Sequence, residues 1–293
     1  MTSSRAKAKR PPAFAALVSR SHALVTGGSS GIGLEIARGL HKMGAQVHLV
    51  GRSEARLADA KARLESDSPD RPAGGSGSAV HTHACDVTDP AQVEALFATL
   101  RANHALPAVI VNSAGKTHPG RFVDLEIADF EATLASNYYG TLHVLKQAVP
   151  ALIERGEGYI LNVGSVAGLM GVYGMTTYSS SKFAVRGFTQ ALRAELKWHG
   201  IGVSLLCPPD TDTPMLQGEL SLRPPETEAV SPSSEAVTPE FVARVALRDW
   251  ARGKAEILPG STAWIPAAVA RLSPRLLEWI MDQTVRKVRR AGP

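Results

Sequence analysis

Seven short apolar runs, separated by longer stretches of helical periodicity, leave this 293-residue chain few folds to choose from. The runs fall at 22–26, 46–50, 79–85, 108–112, 158–163, 202–207 and 255–258, and helical patterns fit near 31–43, 53–65, 90–102, 125–153, 176–198 and 238–252. Strands that are apolar on both faces and alternate with helices predict a parallel sheet covered on both sides. Right-handed crossovers then give an α/β, Rossmann-type, doubly wound seven-stranded sheet. One domain over 21–260 accounts for these elements, with a basic extension at 1–20 and a tail at 261–293.

The first strand runs into Thr26-Gly27-Gly28-Ser29-Ser30-Gly31-Ile32-Gly33, followed by an amphipathic helix. In that context Gly27 permits a tight turn, Gly31 lets the backbone approach a pyrophosphate, and Gly33 lets helix and strand pack closely. The helix N-terminus supplies donors and dipole to phosphates, with Ser29 and Ser30 adding hydroxyls. The second strand ends Val50-Gly51-Arg52, with no acid to hold a ribose 2′-hydroxyl. Gly51 leaves room for a 2′-phosphate and Arg52 offers a guanidinium fork, with Arg56 one turn on, so the reading is NADPH over NADH; Arg52 as a plain surface charge is the alternative. Asp86 closes the third strand, either as acceptor for an adenine amino group or as a helix cap. Asn112-Ser113-Ala114-Gly115 closes the fourth, where small residues let the backbone pass under a cofactor.

Tyr178 and Lys182 are spaced i,i+4, on one helix face, and Ser165 lies thirteen residues before Tyr178 at the end of a strand-like run. A phenol, an ammonium and a hydroxyl downstream of a glycine-rich turn are the parts of a nicotinamide-dependent carbonyl reductase. A free phenol titrates near 10, so a nearby cation is expected to bring it toward neutral pH. Asn137 sits in mid-helix, a poor place for asparagine unless its side chain has a task.

Taken together, Thr26 to Gly33, Asp86, Asn112 to Gly115, Asn137, Ser165, Tyr178 and Lys182 resemble the short-chain dehydrogenase/reductase family over about residues 20–260. Gly164 stands where a serine is frequent, and Ser113 where a second asparagine is frequent. The resemblance implies that Tyr178 protonates a substrate carbonyl, Lys182 lowers the phenol pKa and binds the nicotinamide ribose, Ser165 hydrogen-bonds the carbonyl, and Asn137 holds a water in a proton relay. It implies a cofactor cleft that also takes in Val87 and Pro208, with Thr211 and Thr213 at the carboxamide. Leu49 to Glu54, Tyr178 to Gly187 and above all Pro208-Pro209-Asp210-Thr211-Asp212-Thr213-Pro214 are similar to the sphingoid-base branch of the family, which implies NADPH-dependent reduction of a long-chain 3-keto lipid in sphingolipid metabolism. The same chemistry on a steroid or 3-oxoacyl ketone is the runner-up. A non-catalytic NADP(H) sensor would be expected to lose Tyr178, Lys182 or Ser165, and all three are present. The family further implies a homodimer or homotetramer.

The net charge of +5 is uneven. Residues 1–20 and 271–293 together carry +9, leaving the body at −4, which argues against nucleic acid and suits an anionic membrane surface. No run approaches the roughly 20 apolar residues that span a bilayer, so the expected location is the cytoplasm, with peripheral membrane contact open. Cys85 and Cys207 read as core residues rather than a disulfide, and His81 and His83 as a packed or solvated pair rather than a metal site. Residues 66–78 read as a Gly/Ser/Pro-rich loop, and 214–238 as a mobile substrate lid. In the tail, Leu277, Ile280, Met281, Thr284 and Val288 make an apolar stripe, widened by Leu276, Trp279 and Val285, ahead of Arg286, Lys287, Arg289 and Arg290. Two readings stand for it: a helix packed on protein, or one lying in a lipid interface.

Overall fold

The structure, a computed structural model, describes residues 12–67 and 79–291; most of the 66–78 loop and the first eleven residues of the basic extension lie outside them. In chain order the elements are α1 (Phe14–Val18), β1 (His22–Thr26), α2 (Gly31–Lys42), β2 (Gln46–Gly51), α3 (Glu54–Ser66), β3 (Val80–Ala84), α4 (Pro90–Ala102), β4 (Val109–Asn112), α5 (Ile127–Leu134), α6 (Gly140–Arg155), β5 (Gly158–Val163), α7 (Thr176–Leu196), β6 (Ile201–Leu206), α8 (Pro214–Glu219), α9 (Pro225–Val230), α10 (Pro239–Ala251), β7 (Glu256–Ile257), α11 (Ser261–Leu272) and α12 (Pro274–Ala291). The seven strands form one sheet in the order β3-β2-β1-β4-β5-β6-β7. Every pairing is parallel. The order reverses between β1 and β4, so their C-terminal ends open the crevice where such sheets bind ligands.

Alternation along the strands builds two cores. Ala23, Val25, Val47 and Leu49 face one side with Ile36, Leu57 and Trp250. Leu24, Val50, Ile110 and Ile160 face the other with Phe97, Val144 and Leu196. Each layer buries apolar area at roughly 25 cal/mol per Å², which holds the strand ends, and hence the crevice, in place.

The extension does not begin the body at residue 21 as expected. Phe14, Leu17 and Val18 are buried. The Phe14 ring sits 5.0 Å from Tyr159 and 4.9 Å from Trp250. The Tyr159 hydroxyl donates to the Pro12 carbonyl at 2.6 Å. A five-residue helix has no stability of its own, so its aromatic anchor, not its periodicity, makes it part of the fold. The single helix expected over 125–153 is instead α5, a π-helical turn at Ala135–Tyr139, and α6. The segment expected as a lid folds into α8, two 3₁₀ turns and α9. Its stem is pinned where Asp212 N–H donates to Val237 O at 2.9 Å and Val237 N–H to Asp210 O at 3.0 Å.

Candidate active site

The ends of β1 and β4 are clamped first. Thr26 is buried, and its Oγ1 accepts from the Ser113 and Ala114 amides, both at 3.1 Å. This binds the glycine turn to the Asn112–Gly115 loop. Gly27 has φ +65°, and a Cβ there would lie 2.8 Å from Ser113 O; at Gly33 it would lie 2.5 Å from Gly27 O. The packing of α2 onto the turn therefore demands glycine at both positions.

The π turn gives Asn137 its task. Its side chain accepts from the Lys116 amide at 2.8 Å and donates to the Lys116 carbonyl at 3.0 Å and to Ser181 Oγ at 2.8 Å. A π turn breaks the regular helical register and often marks a functional position. Ser181 Oγ in turn donates to Tyr178 O at 2.7 Å. A Cβ on Gly115 would lie 2.8 Å from Asn137 Oδ1 and 3.8 Å from Lys182 Nζ, so these three residues converge on one spot.

Lys182 is buried, and its ammonium donates to Val163 O at 2.9 Å, with Nζ 5.5 Å from the Tyr178 ring centroid. Val163 is two residues before Ser165, whose Oγ accepts from the Ala167 amide at 3.1 Å and lies close enough to the Tyr178 phenol to lower its pKa. Val166 N–H donates to Pro208 O at 3.0 Å and brings the end of β6 against Ser165. Ser165, Tyr178, Lys182 and Asn137 thus stand together as the sequence predicted.

The electrostatics run opposite to expectation. Burial pushes the Tyr178 phenol well above its ordinary 10, and the nearby Ser165 hydroxyl opposes this. The residue keeps some solvent exposure, but dense surroundings outweigh it. Burial also brings Lys182 down to about 8. Desolvation of the charged forms exceeds the attraction the sequence argument relied on. At neutral pH the phenol holds its proton, which suits a donor and hence the reducing direction. Behind them, burial pushes the Cys207 thiol up to about 12 and Cys85 to about 11, which leaves both inert.

The cleft residues fit a dinucleotide. Ser30 begins α2 without capping it, so the first-turn amides remain open to a phosphate. A Cβ on Gly31, at φ +56°, would lie 2.9 Å from Thr213 Cγ2; that contact brings the loop after β6 to the glycine turn. A Cβ on Gly51 would meet only ordinary contacts, the nearest at 3.6 Å, so the protein's own packing does not require glycine there. Exposed Arg52 makes no ion pair among the described residues, and Arg56 reaches Ser30 Oγ at 3.3 Å. Asn112 donates to Asn162 Oδ1 at 2.9 Å, yet its own Oδ1 is buried without a partner. Ile32 packs on the core, and the buried Val87 touches the start of α6.

Three expectations take a different form. Asp86 Oδ1 accepts from the Thr88 amide and hydroxyl at 2.9 and 2.8 Å in a turn ahead of α4, whose cap is Asp89, and this leaves one oxygen for another donor. Thr211 Oγ1 donates to Pro209 O at 2.8 Å and Thr213 Oγ1 to Thr211 O at 3.1 Å, so both hydroxyls are available only as acceptors. His81 and His83 belong to a four-imidazole group with His22 and His48, and among the described residues nothing forms a metal-binding cluster.

Sequence reasoning missed a charged cluster beside the phenol. Arg223 is only 2% exposed and bonds Asp210 at 2.9 Å, Glu219 at 2.8 Å and the Ser231 carbonyl at 3.1 Å, with Glu228 at 3.4 Å. Asp210 and Glu219 both push the phenol further up. The i,i+4 spacing of Glu219 and Arg223 was the available signal.

Comparison with known proteins agrees with this geometry. The short chain dehydrogenase family profile matches residues 21–222. A 3-ketodihydrosphingosine reductase of Bos taurus is 36% identical over 246 residues, 84% of this chain and 73% of the relative. A short-chain dehydrogenase from Sphingobium yanoikuyae in complex with NADPH is 26% identical, with TM-score 0.71, over 93% of this chain and 96% of its own. An actinorhodin polyketide ketoreductase variant with NADPH is 32% identical, with TM-score 0.70, over 82% of this chain and 95% of its own.

Proposed function

This chain belongs to the short-chain dehydrogenase family, and within it we infer that the protein is an NADPH-dependent reductase of a long-chain 3-keto lipid, with 3-ketodihydrosphingosine as substrate and dihydrosphingosine as product. The convergence of Ser165, Tyr178, Lys182 and Asn137 in a chain similar over most of its length to sphingoid reductases is the observation that carries this reading. Bound NADPH supplies a hydride to the carbonyl carbon. The open first turn of α2, Ser29 and Ser30 hold its phosphates, Arg52 and Arg56 its 2′-phosphate, and the free oxygen of Asp86 its adenine. Ala114, Gly115, Pro208, Thr211 and Thr213 enclose the nicotinamide end.

Tyr178, kept neutral by burial, donates its proton to the carbonyl oxygen. Ser165 orients both the phenol and the carbonyl through its hydroxyl. Lys182 holds positive charge near the phenolate that remains, and Asn137 fixes the Lys116 backbone and Ser181 around them. Positioned proton transfer of this kind contributes about 10²–10⁴-fold.

The likeness to a polyketide ketoreductase favours 3-oxoacyl substrates as a second reading. NADPH oxidation with 3-keto sphingoid bases, steroid ketones and 3-oxoacyl thioesters separates the two. The first reading expects the highest kcat/KM on the sphingoid base. Turnover of the thioester alone would overturn it. We further infer a homodimer or homotetramer by family likeness, and work at a membrane surface because the substrate is an amphiphile. Among the described residues no helix is long and apolar enough to cross a membrane.

A further inference from the structure

The C-terminal helices divide their apolar residues between two uses. Leu277, Met281, Thr284 and Val288, most of the expected stripe, are partly buried where α12 packs toward α9 and α11. Leu276, Trp279 and Ile280 point away from the protein, with Trp279 60% exposed. Trp264, Ile265 and Leu272 of α11, the helix that packs on α12, are also exposed, at 61%, 53% and 86%. Six large apolar side chains, two of them tryptophan, are an uncommon exposure for one small region of a protein surface.

Helical spacing continues this face toward the C-terminus. From Leu276, steps of i+3, i+4, i+7, i+11 and i+14 reach Trp279, Ile280, Gln283, Lys287 and Arg290, with Arg286 alongside. The face is thus apolar in its first half and cationic in its second. Arg275, Arg286, Lys287 and Arg290 form no ion pair among the described residues; exposed Glu278 and Asp282 lie one turn from Arg275 and Arg286 and leave this end of the helix net cationic.

We propose that this α11–α12 face docks on an anionic lipid bilayer, with the apolar half seated in the acyl boundary and the cations on the head groups. Charge complementarity selects that occupant, since an apolar patch meant for a second copy would gain nothing from an unpaired like-charge row at its edge. Tryptophan suits the interface, having an apolar body and a polar N–H. The surface stands without the substrate, but its use rests on the lipid reading above. Arg289 at the far end of α12 donates to the Tyr173 hydroxyl at 3.2 Å and pairs with buried Glu226 of α9 at 3.5 Å. Tyr173 leads into α7, which carries Tyr178. Docking therefore places the bilayer beside the segment that borders the active site, so an alkyl chain can pass between them with little exposure to water.

The test is co-sedimentation of the full chain with phosphatidylcholine vesicles, with and without phosphatidylglycerol. The expected result is salt-reversible binding that needs phosphatidylglycerol. The Arg286→Glu/Lys287→Glu/Arg290→Glu variant should bind about 100-fold more weakly, since each cation near such a surface contributes about fivefold. Trp264→Ser/Trp279→Ser should lose about tenfold or more. Both should reduce detergent-dispersed substrate as the parent does, which shows they are folded. Absence of binding by the parent, or equal binding by all three, overturns the proposal. So does a dimer in sedimentation velocity that the tryptophan variant dissolves, which would make a second copy the occupant. Vesicle binding by a protein that turns over only 3-oxoacyl thioesters would refute the sphingoid reading and leave this surface intact.

Discussion

The crevice around Tyr178 and the segment from Asp210 to Ala291 hold their polar groups in opposite ways. In the crevice, side chains bond mainly to backbone. Thr26 takes two amides, Asn137 both groups of Lys116, Lys182 the Val163 carbonyl, and Thr177 donates to His118 O at 2.7 Å. In the later segment charge meets charge. Arg223 gathers Asp210, Glu219 and Glu228, and Glu226 gathers Arg121, Arg289 and the Tyr173 hydroxyl. Backbone anchors fix an element to a scaffold that cannot repack without unfolding. Ion pairs join side chains that can separate and re-form, which would suit a wall that opens to the long substrate proposed above.

The largest expected effect lies in the crevice. Tyr178→Phe should leave NADPH binding nearly intact and lower kcat by about 10²–10⁴, because only the proton donor is lost. Fluorescence titration with NADPH and single-turnover kinetics measure the two quantities. More than a tenth of the parent activity in Tyr178→Phe would remove the phenol from the reaction. Lys182→Ala should weaken both binding and turnover.

Next is Arg223→Gln. It leaves Asp210 and Glu219 beside each other with no cation, and breaking a buried pair on one side costs about 3–5 kcal/mol. If the segment is a separable unit, amide exchange should accelerate across 211–238 while amides of β1, β4 and β5 keep their protection. Equal acceleration in both would show that the two regions unfold as one and would break the comparison. Added salt should not mimic the substitution, since Arg223 is almost wholly buried.

Smaller again is cofactor choice. Arg52→Asp should shift the kcat/KM ratio toward NADH by roughly 10²-fold, through loss of a charge-assisted contact and gain of an acceptor for a 2′-hydroxyl. An unchanged ratio would return Arg52 to the plain surface charge that the sequence also allowed.

The same division explains what could be read from the chain alone. The seven strands, the glycine turn and the Tyr178–Lys182 pair rest on local rules: alternation, positive φ and i,i+4 spacing. They fall where expected, β1 and β5 to the residue. The π turn at Asn137 was hinted at only by an asparagine out of place, because a register change has no periodic signature. The burial of α1 depends on Phe14 meeting Tyr159 and Trp250, residues far apart in sequence. Arg223 and its carboxylates looked like ordinary surface charges, since burial by tertiary packing leaves no mark in composition. The tail stripe was visible, but which half of it packs inward depends on where α9 lies.

The last prediction separates the regions by acid. On the second core's side of the sheet, His48 Nε2 lies 2.8 Å from His22 Nδ1, and His48 Nδ1 lies 2.9 Å from His83 Nε2; His81 stacks on His48 at 4.7 Å. Four imidazoles in mutual contact can share hydrogen bonds only while mostly neutral. Burial lowers all four; neighbouring imidazoles then lower His22, His48 and His83, with Arg155 adding to this at His22, while at His81 Lys61 lowers and Glu65 opposes it; His48 falls to about 3. An unfolded histidine titrates near 6.5, so between about 3 and 6.5 the unfolded chain binds more protons at His48 than the folded one. Stability is therefore full above pH 6.5 and falls as pH drops below it, by about 1.4 kcal/mol per pH unit from His48 alone. The His48→Gln variant separates this contribution from that of carboxylates such as Glu219, whose pKa burial raises. Urea midpoints at pH 7.5 and 5.5 should differ in the parent, and the difference should shrink in His48→Gln. Amide exchange should quicken across β1 to β3 on acidification before it does across 211–238. Identical parent midpoints at the two pH values would mean that the four rings take up protons without opposing the fold, and the difference between the regions would then rest on the ion pairs alone.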